Sequence, residues 1–204
     1  DSNVGFTSTL NSSEALATAV PAAPATLSIT AGAGDVTFGA IVGGATYTAT
    51  NGALGAVTLV SAKDVGINAA FTAASLTQQA GTGTTTIGAA TTLTGALSFT
   101  GSALTVNAAV TAGGAVTVAN SGIFTTIAAG TISSTGVFGQ SGAGANSLGG
   151  NISVTGTGNA LSFAQAITLT DNITLTSTNG AVSFAKVVDT ATSSAARSLT
   201  VTAG

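Results

Sequence analysis

The chain is 204 residues long and 45 % hydrophobic, yet only 4 % of it is charged and only 4 % is aromatic. That combination excludes intrinsic disorder, which needs low hydrophobicity and high charge, and it excludes a thick core built on large rings. With three cations in all, at Lys63, Lys186 and Arg197, the chain can form no basic patch for nucleic acid, and zero cysteine excludes a disulfide scaffold.

Residues 1–25 differ from the rest. They hold Glu14, Pro21 and Pro24. Residues 6–10 read as a strand. Ser13 reads as the cap of a short helical turn near Glu14, and the Pro-Ala-Ala-Pro segment extends the chain after it. The segment is expected to be an arm, a cap or a linker, with residues 26–204 as the main unit.

From Thr26 onward a strand pattern takes over. Leu27-Ser28-Ile29-Thr30 precedes the turn Ala31-Gly32-Ala33-Gly34. Asp35-Val36-Thr37-Phe38, Val57-Thr58-Leu59-Val60, Val65-Gly66-Ile67 and Ser75-Leu76-Thr77 follow. Next come Leu97-Ser98-Phe99, Leu104-Thr105-Val106, Val116-Thr117-Val118, Ile123-Phe124, Thr131-Ile132 and Val137-Phe138. The Gly/Ser/Ala/Asn stretch at 140–150 has no periodicity and is expected to be a loop or protrusion. Strands resume at Ile152-Ser153-Val154, then at Leu161, Ile167, Ile173 and Val182, and end with Leu199-Thr200-Val201-Thr202.

These are three- to five-residue runs of period-2 alternation between Gly and Asn turns. Ala96-Leu97-Ser98-Phe99 recurs as Ala160-Leu161-Ser162-Phe163 and again as Ala181-Val182-Ser183-Phe184. The last two copies lie 21 residues apart, which suits one coil of a solenoid. Strands this short suffice where each one pairs with the coil above and the coil below. The expected fold is all-β: a right-handed parallel β-helix, or β-solenoid, of roughly nine coils from Thr26, about 40 Å long. Val, Leu and Ile would fill its interior, and Thr and Ser would form outward ladders.

Ser198-Leu199-Thr200-Val201-Thr202-Ala203-Gly204 matches Thr26-Leu27-Ser28-Ile29-Thr30-Ala31-Gly32, so the C-terminal edge reads as uncapped. An open β edge is a template for another chain. Residues 1–25 and 199–204 are therefore the expected assembly stretches.

The run from Leu27 to Gly44, with 198–204, resembles the repeats of filamentous-haemagglutinin-like exoproteins and autotransporter passenger regions of bacterial surface proteins. The resemblance implies a right-handed β-helix, export to the cell surface, and adhesion or the building of a biofilm matrix.

Chemistry is sparse. Without His or Cys, Ser-His and Cys-His dyads are excluded. Asp171, Lys186 and Asp189 could meet across coils, and they read as a solvated cluster. Gly32-Ala33-Gly34-Asp35 reads as a turn, since a glycine-aspartate calcium site draws on successive repeats. The expectation is therefore a protein that is not an enzyme, with no catalytic, cofactor-binding or metal residues and no cofactor. It would be an extracellular fibre subunit, or a segment of a solenoid adhesin. Its partners would be copies of itself, joined through the solenoid ends and the N-terminal arm, or a glycan or protein on a cell surface.

Two alternatives stand beside this reading: a surface coat protein, and an ice-binding solenoid using Thr-x-Thr faces. Thr46, Thr48 and Thr50 alternate, as do Thr174, Thr176 and Thr178, but the sequence shows no fixed period for them. No apolar run is long enough for a membrane helix, because Thr, Ser, Gly and Asn interrupt each one. One Tyr and eight Phe are too few for the girdles of a membrane barrel.

Overall fold

The computed structural model describes residues 1–12, 23–44, 52–191 and 196–204. Ser13, Glu14, Pro21 and the Thr46-Thr48-Thr50 run lie outside the described residues. Within them the chain is all-β, with no helix and with every strand pair parallel. It is a β-solenoid.

Each coil visits three faces in turn. Face 1 is a nine-stranded sheet that includes β1 (Val4–Phe6), β3 (Val36–Phe38), β5 (Val65–Ile67), β13 (Phe124–Thr126), β16 (Asn146–Leu148), β19 (Ile167–Leu169) and β22 (Val188–Thr190). Faces 2 and 3 belong to one fourteen-stranded sheet, joined through β6 (Phe71–Gln78). The start of β6 pairs with β8 (Thr91–Leu93) on face 2, and its end pairs with β9 (Leu97–Gly101) on face 3. Face 2 continues through β11 (Val110–Ala112), β14 (Ile132–Ser134), β17 (Ile152–Val154) and β20 (Ile173–Ser177) to β23 (Leu199–Ala203). Face 3 runs from β2 (Leu27–Thr30) and β4 (Leu54–Ser61) through β12 (Val116–Asn120), β15 (Phe138–Gln140) and β18 (Leu161–Phe163) to β21 (Val182–Phe184).

Register gives the coil length. On face 1, Val4 pairs with Val36, Val36 with Val65, and then Thr85, Leu104, Phe124, Asn146, Ile167 and Val188 follow in one column. The first two steps are 32 and 29 residues, and the later ones are 19 to 22. From Leu27 onward the chain makes about seven turns, fewer than the nine expected, because the coil that follows is longer than twenty residues. The ladder begins at Val4–Phe6, inside the segment read as arm, cap or linker.

The alternation drives the fold. Inward Val, Leu, Ile and Phe stack in columns: Leu97, Val116, Phe138 and Leu161 form one on face 3, all at most 3 % exposed. Phe6 stacks on Phe38 at 5.2 Å, and Phe38 meets Phe71 edge-on at 5.3 Å. Near the other end, Phe138, Phe163 and Phe184 follow one another at 5.3 and 6.1 Å. The Leu-Ser-Phe repeats at 97 and 161, and Val182-Ser183-Phe184, occupy the same face-3 columns, as their spacing requires. The Leu27 and Leu199 motifs do not: the first lies on face 3 and the second on face 2.

The loop expected at 140–150 is corrected. Gln140 ends β15, a short turn follows, and Asn146–Leu148 is a face-1 strand between Phe124–Thr126 and Ile167–Leu169. The apolar alternation fails there because Gln140 and Asn146 point inward and are buried, a pattern that reads as loop when only apolar residues are allowed inside.

Candidate functional site

The side chains with chemical character fall into four groups: an outward hydroxyl array, a set of corner acceptors, a buried amide cluster, and the two ends.

The outward positions stack as strictly as the inward ones. On face 1, Thr86, Thr105, Thr125, Ser147, Thr168 and Asp189 form one column. On face 2, Thr72, Thr92, Thr111, Ser133, Ser153, Thr176 and Thr202 form another. Face 3 carries Ser28, Thr58, Thr77, Ser98 and Thr117 in line, with Thr117 donating to Ser98 at 3.3 Å. Hydroxyls therefore recur coil after coil in runs on each face, broken on face 3 by Gly139 and preceded on face 1 by Gly66. The sequence hid this because the steps along these columns range from 19 to 30 residues. Thr174 and Thr176 sit on face 2, with Ser153 beside Thr176 on one side and Thr200 and Thr202 beside Thr174 and Thr176 on the other, while Thr178 lies in the turn after β20.

At two corners, Asn and Asp oxygens stitch coils along the axis. Asn3 Oδ1 accepts from the Asp35 N–H (2.9 Å), Asp35 Oδ1 from the Asp64 N–H (3.3 Å), and Asp64 Oδ1 from the Thr84 N–H (2.7 Å). Asn151 Oδ1 accepts from the Thr174 N–H and Asn172 Oδ1 from the Ser198 N–H, at 2.7 and 2.8 Å. Each bond satisfies a backbone donor at a strand entrance. Lys63 lies 3.1 Å from Asp64 and 4.0 Å from Asp35. The hydrogen bond from the Thr84 N–H, then the one from Lys63, hold the Asp64 carboxyl below its usual range. The hydrogen bond to Asp64 and the charges of Asp64 and Asp35 raise the Lys63 ammonium above its usual value.

Gly32-Ala33-Gly34 forms the expected turn: Gly32 has φ 63° and the Gly34 N–H donates to Ala31 O at 2.9 Å. Asp35 is committed to Asp64 and Lys63, as described. The acidic residues near the C-terminal end separate: Asp171 is 3.9 Å from Arg197, while Asp189 Oδ1 accepts from the Thr190 N–H at 2.7 Å. Among the described residues no group of three His, Cys, Asp or Glu side chains could hold a metal ion. No helix among them is long and apolar enough to cross a membrane.

The buried amides were missed by sequence reading. Gln140 Nε2 donates to Asn120 Oδ1 at 2.8 Å and to Gly142 O at 3.0 Å, and Gln140 Oε1 accepts from the N–H groups of Ala164 and Gln165, each at 3.2 Å. Asn146 Nδ2 reaches Gln140 Oε1 (3.4 Å) and the carbonyls of Gln165 and Ala166 (3.2 Å each), while its Oδ1 is buried without a partner. A signal was present. Asn120, Ser134 and Gln140 each end a strand pointing inward, and each bonds the carbonyl of a glycine two residues on: Gly122, Gly136 and Gly142. Polar-x-Gly marks the corner.

At the C-terminal end the inward Val182, Phe184, Val188 and Leu199 are only partly buried, and Val201 is 44 % exposed. At the N-terminal end the same holds for Val4, Phe6, Leu10 and Leu27.

No family model, no curated protein and no solved structure matches this chain in comparisons with known proteins.

Proposed function

We propose that this chain is a structural rod: a subunit of an extracellular bacterial surface or matrix fibre, or a segment of a longer solenoid adhesin. The observation that supports this reading is the condition of the last rung. Its inner columns arrive at β21, β22 and β23 still partly exposed, and Val201 is 44 % exposed on an open parallel ladder. Such an edge favours further pairing. The mechanism is mechanical: axial main-chain ladders and stacked apolar columns resist bending and proteolysis. Negative-stain microscopy of purified chain at high concentration tests it. Filaments of one uniform width are expected, and compact particles at every concentration would overturn the fibre reading.

A second reading, an ice-binding face, is favoured by one observation: the outward hydroxyls of face 2 repeat once per coil from Thr72 to Thr202. A rigid array with a repeat of about 4.8 Å along the axis is suited to ordering water. Thermal hysteresis in dilute solution is the expected outcome, and its absence up to millimolar chain would remove this reading.

A further inference from the structure

We propose that ice is bound by one two-dimensional hydroxyl patch on face 2, between Thr131 and Thr202, and that the earlier rungs and the other two faces take no part. This rests on the ice-binding reading above and narrows it to one part of one face.

In these later coils the outward hydroxyls form ranks, not a single column. The middle rank holds Ser133, Ser153, Thr176 and Thr202. Two residues earlier along each strand runs a second rank of Thr131, Asn151, Thr174 and Thr200. Asn151 Oδ1 accepts from the Thr174 N–H at 2.7 Å and so ties one rung to the next. Two residues after the middle rank, where the strands end, Thr135, Thr155 and Thr178 are exposed. Their N–H groups donate to Ala112 O, Ser134 O and Val154 O of the coil before at 2.9, 2.8 and 3.0 Å, so they too stack coil on coil. Ranks about 6.6 Å apart cross rungs about 4.8 Å apart, which makes a lattice. The earlier rungs make only a line. Thr72, Thr92 and Thr111 follow Ala70, Ala90 and Ala109, and of Ala74, Thr94 and Gly113 after them only Thr94 carries a hydroxyl.

The chemistry of the patch selects the ligand. Each hydroxyl both donates and accepts, as each water of a hydrogen-bonded lattice does. Among the described residues the hydroxyls of Ser133, Ser153, Thr174, Thr176, Thr200 and Thr202 bond no protein group, whereas on face 3 Thr117 is spent on Ser98 at 3.3 Å. The three ranks contain no charged and no aromatic residue, so an ionic mineral meets no carboxylate there. Asp171 and Arg197 lie at the corner before β20 and β23 and face each other at 3.9 Å. A sheet face gives a small soluble ligand no enclosing walls. The stiff χ1 of Thr leaves little side-chain freedom to lose when water is ordered against it.

Outward substitutions and thermal hysteresis test the placement. An ammonium pressed against ice is costly to desolvate, so Ser153→Lys should lower hysteresis about ten-fold. Thr176→Tyr suits a strand, breaks the flat array without adding charge, and should give a similar loss. Thr111→Lys beside the alanines and Thr105→Lys on face 1 should leave hysteresis within about two-fold of wild type. Hysteresis is read on the variants that keep the wild-type melting midpoint, and either patch variant suffices. Equal losses from the patch and from Thr111→Lys, or no loss from a folded patch variant, would overturn the placement and leave the ice-binding reading standing. A wild-type chain without hysteresis would overturn both.

Discussion

The first two coils and the coils after Val65 solve one problem with different material. The early steps take 32 and 29 residues and the later ones 19 to 22, yet the inward strands stack in the same columns throughout. The surplus falls between Leu10 and Leu27 and between Val42 and Leu54. A face is fixed by its columns, while a corner tolerates extra residues because closure entropy grows slowly with length. The stitching differs as well. The early corner uses Asp35, Asp64 and Lys63 at the surface, whereas the later coils use buried, uncharged Asn120, Gln140 and Asn146. Surface charge pairs contribute little and respond to pH and salt. Buried amides respond to neither and are costly to break.

The largest effect expected along that contrast comes from the late interior. Phe138 is fully buried between Phe124 and Phe163, so Phe138→Ala should cost about 3–5 kcal/mol by chemical denaturation, and Phe6→Ala at the first rung clearly less. Gln140→Leu orphans the Gln165 N–H and Asn120 Oδ1, while the Ala164 N–H keeps the backbone carbonyl of residue 140, and should cost about 1–3 kcal/mol for each group left buried. Hydrogen exchange at Gln165 should accelerate, and that at Ala164 much less. At the late corner a methyl group on Gly144 would run into the Gly122 carbonyl, so Gly144→Ala should lower the unfolding free energy by about 1–3 kcal/mol, while Gly5→Ala in open space should stay within about 0.5 kcal/mol.

The smallest effect belongs to the charged corner. Asp64 has a depressed folded pKa, so its contribution is full above the ordinary Asp value and is lost as pH falls through the folded value. Lys63 has a raised folded pKa, so its contribution is full below the ordinary Lys value and is lost as pH rises through the folded value. Asp64→Asn keeps the acceptor for the Thr84 N–H and should flatten the acid dependence of the melting midpoint as pH falls below the ordinary Asp range. A wild-type midpoint already flat over that window would mean that the early coils gain nothing from the charge.

Much of this was legible in the chain. Leu97-Ser98-Phe99 and its copies revealed the coil because side-chain direction alternates with period 2 and a 21-residue spacing returns to the same face. Asn146–Leu148 was illegible because its inward Asn reads as polar surface until Gln140, Gln165 and Ala166 are seen around it. The hydroxyl columns were illegible for another reason: steps of 19, 20, 21 and 22 residues blur any fixed period.

The sequence by itself determined an all-β chain of short alternating strands with small, uncharged side chains, because alternation and turn residues are local properties. Only the tertiary structure decided which rung lies on which. That choice set the faces of the Leu27 and Leu199 motifs, the burial of Gln140, and the open columns at Val4 and Val188. Register is a property of neighbouring coils, and variable corners remove it from any reading of one strand at a time.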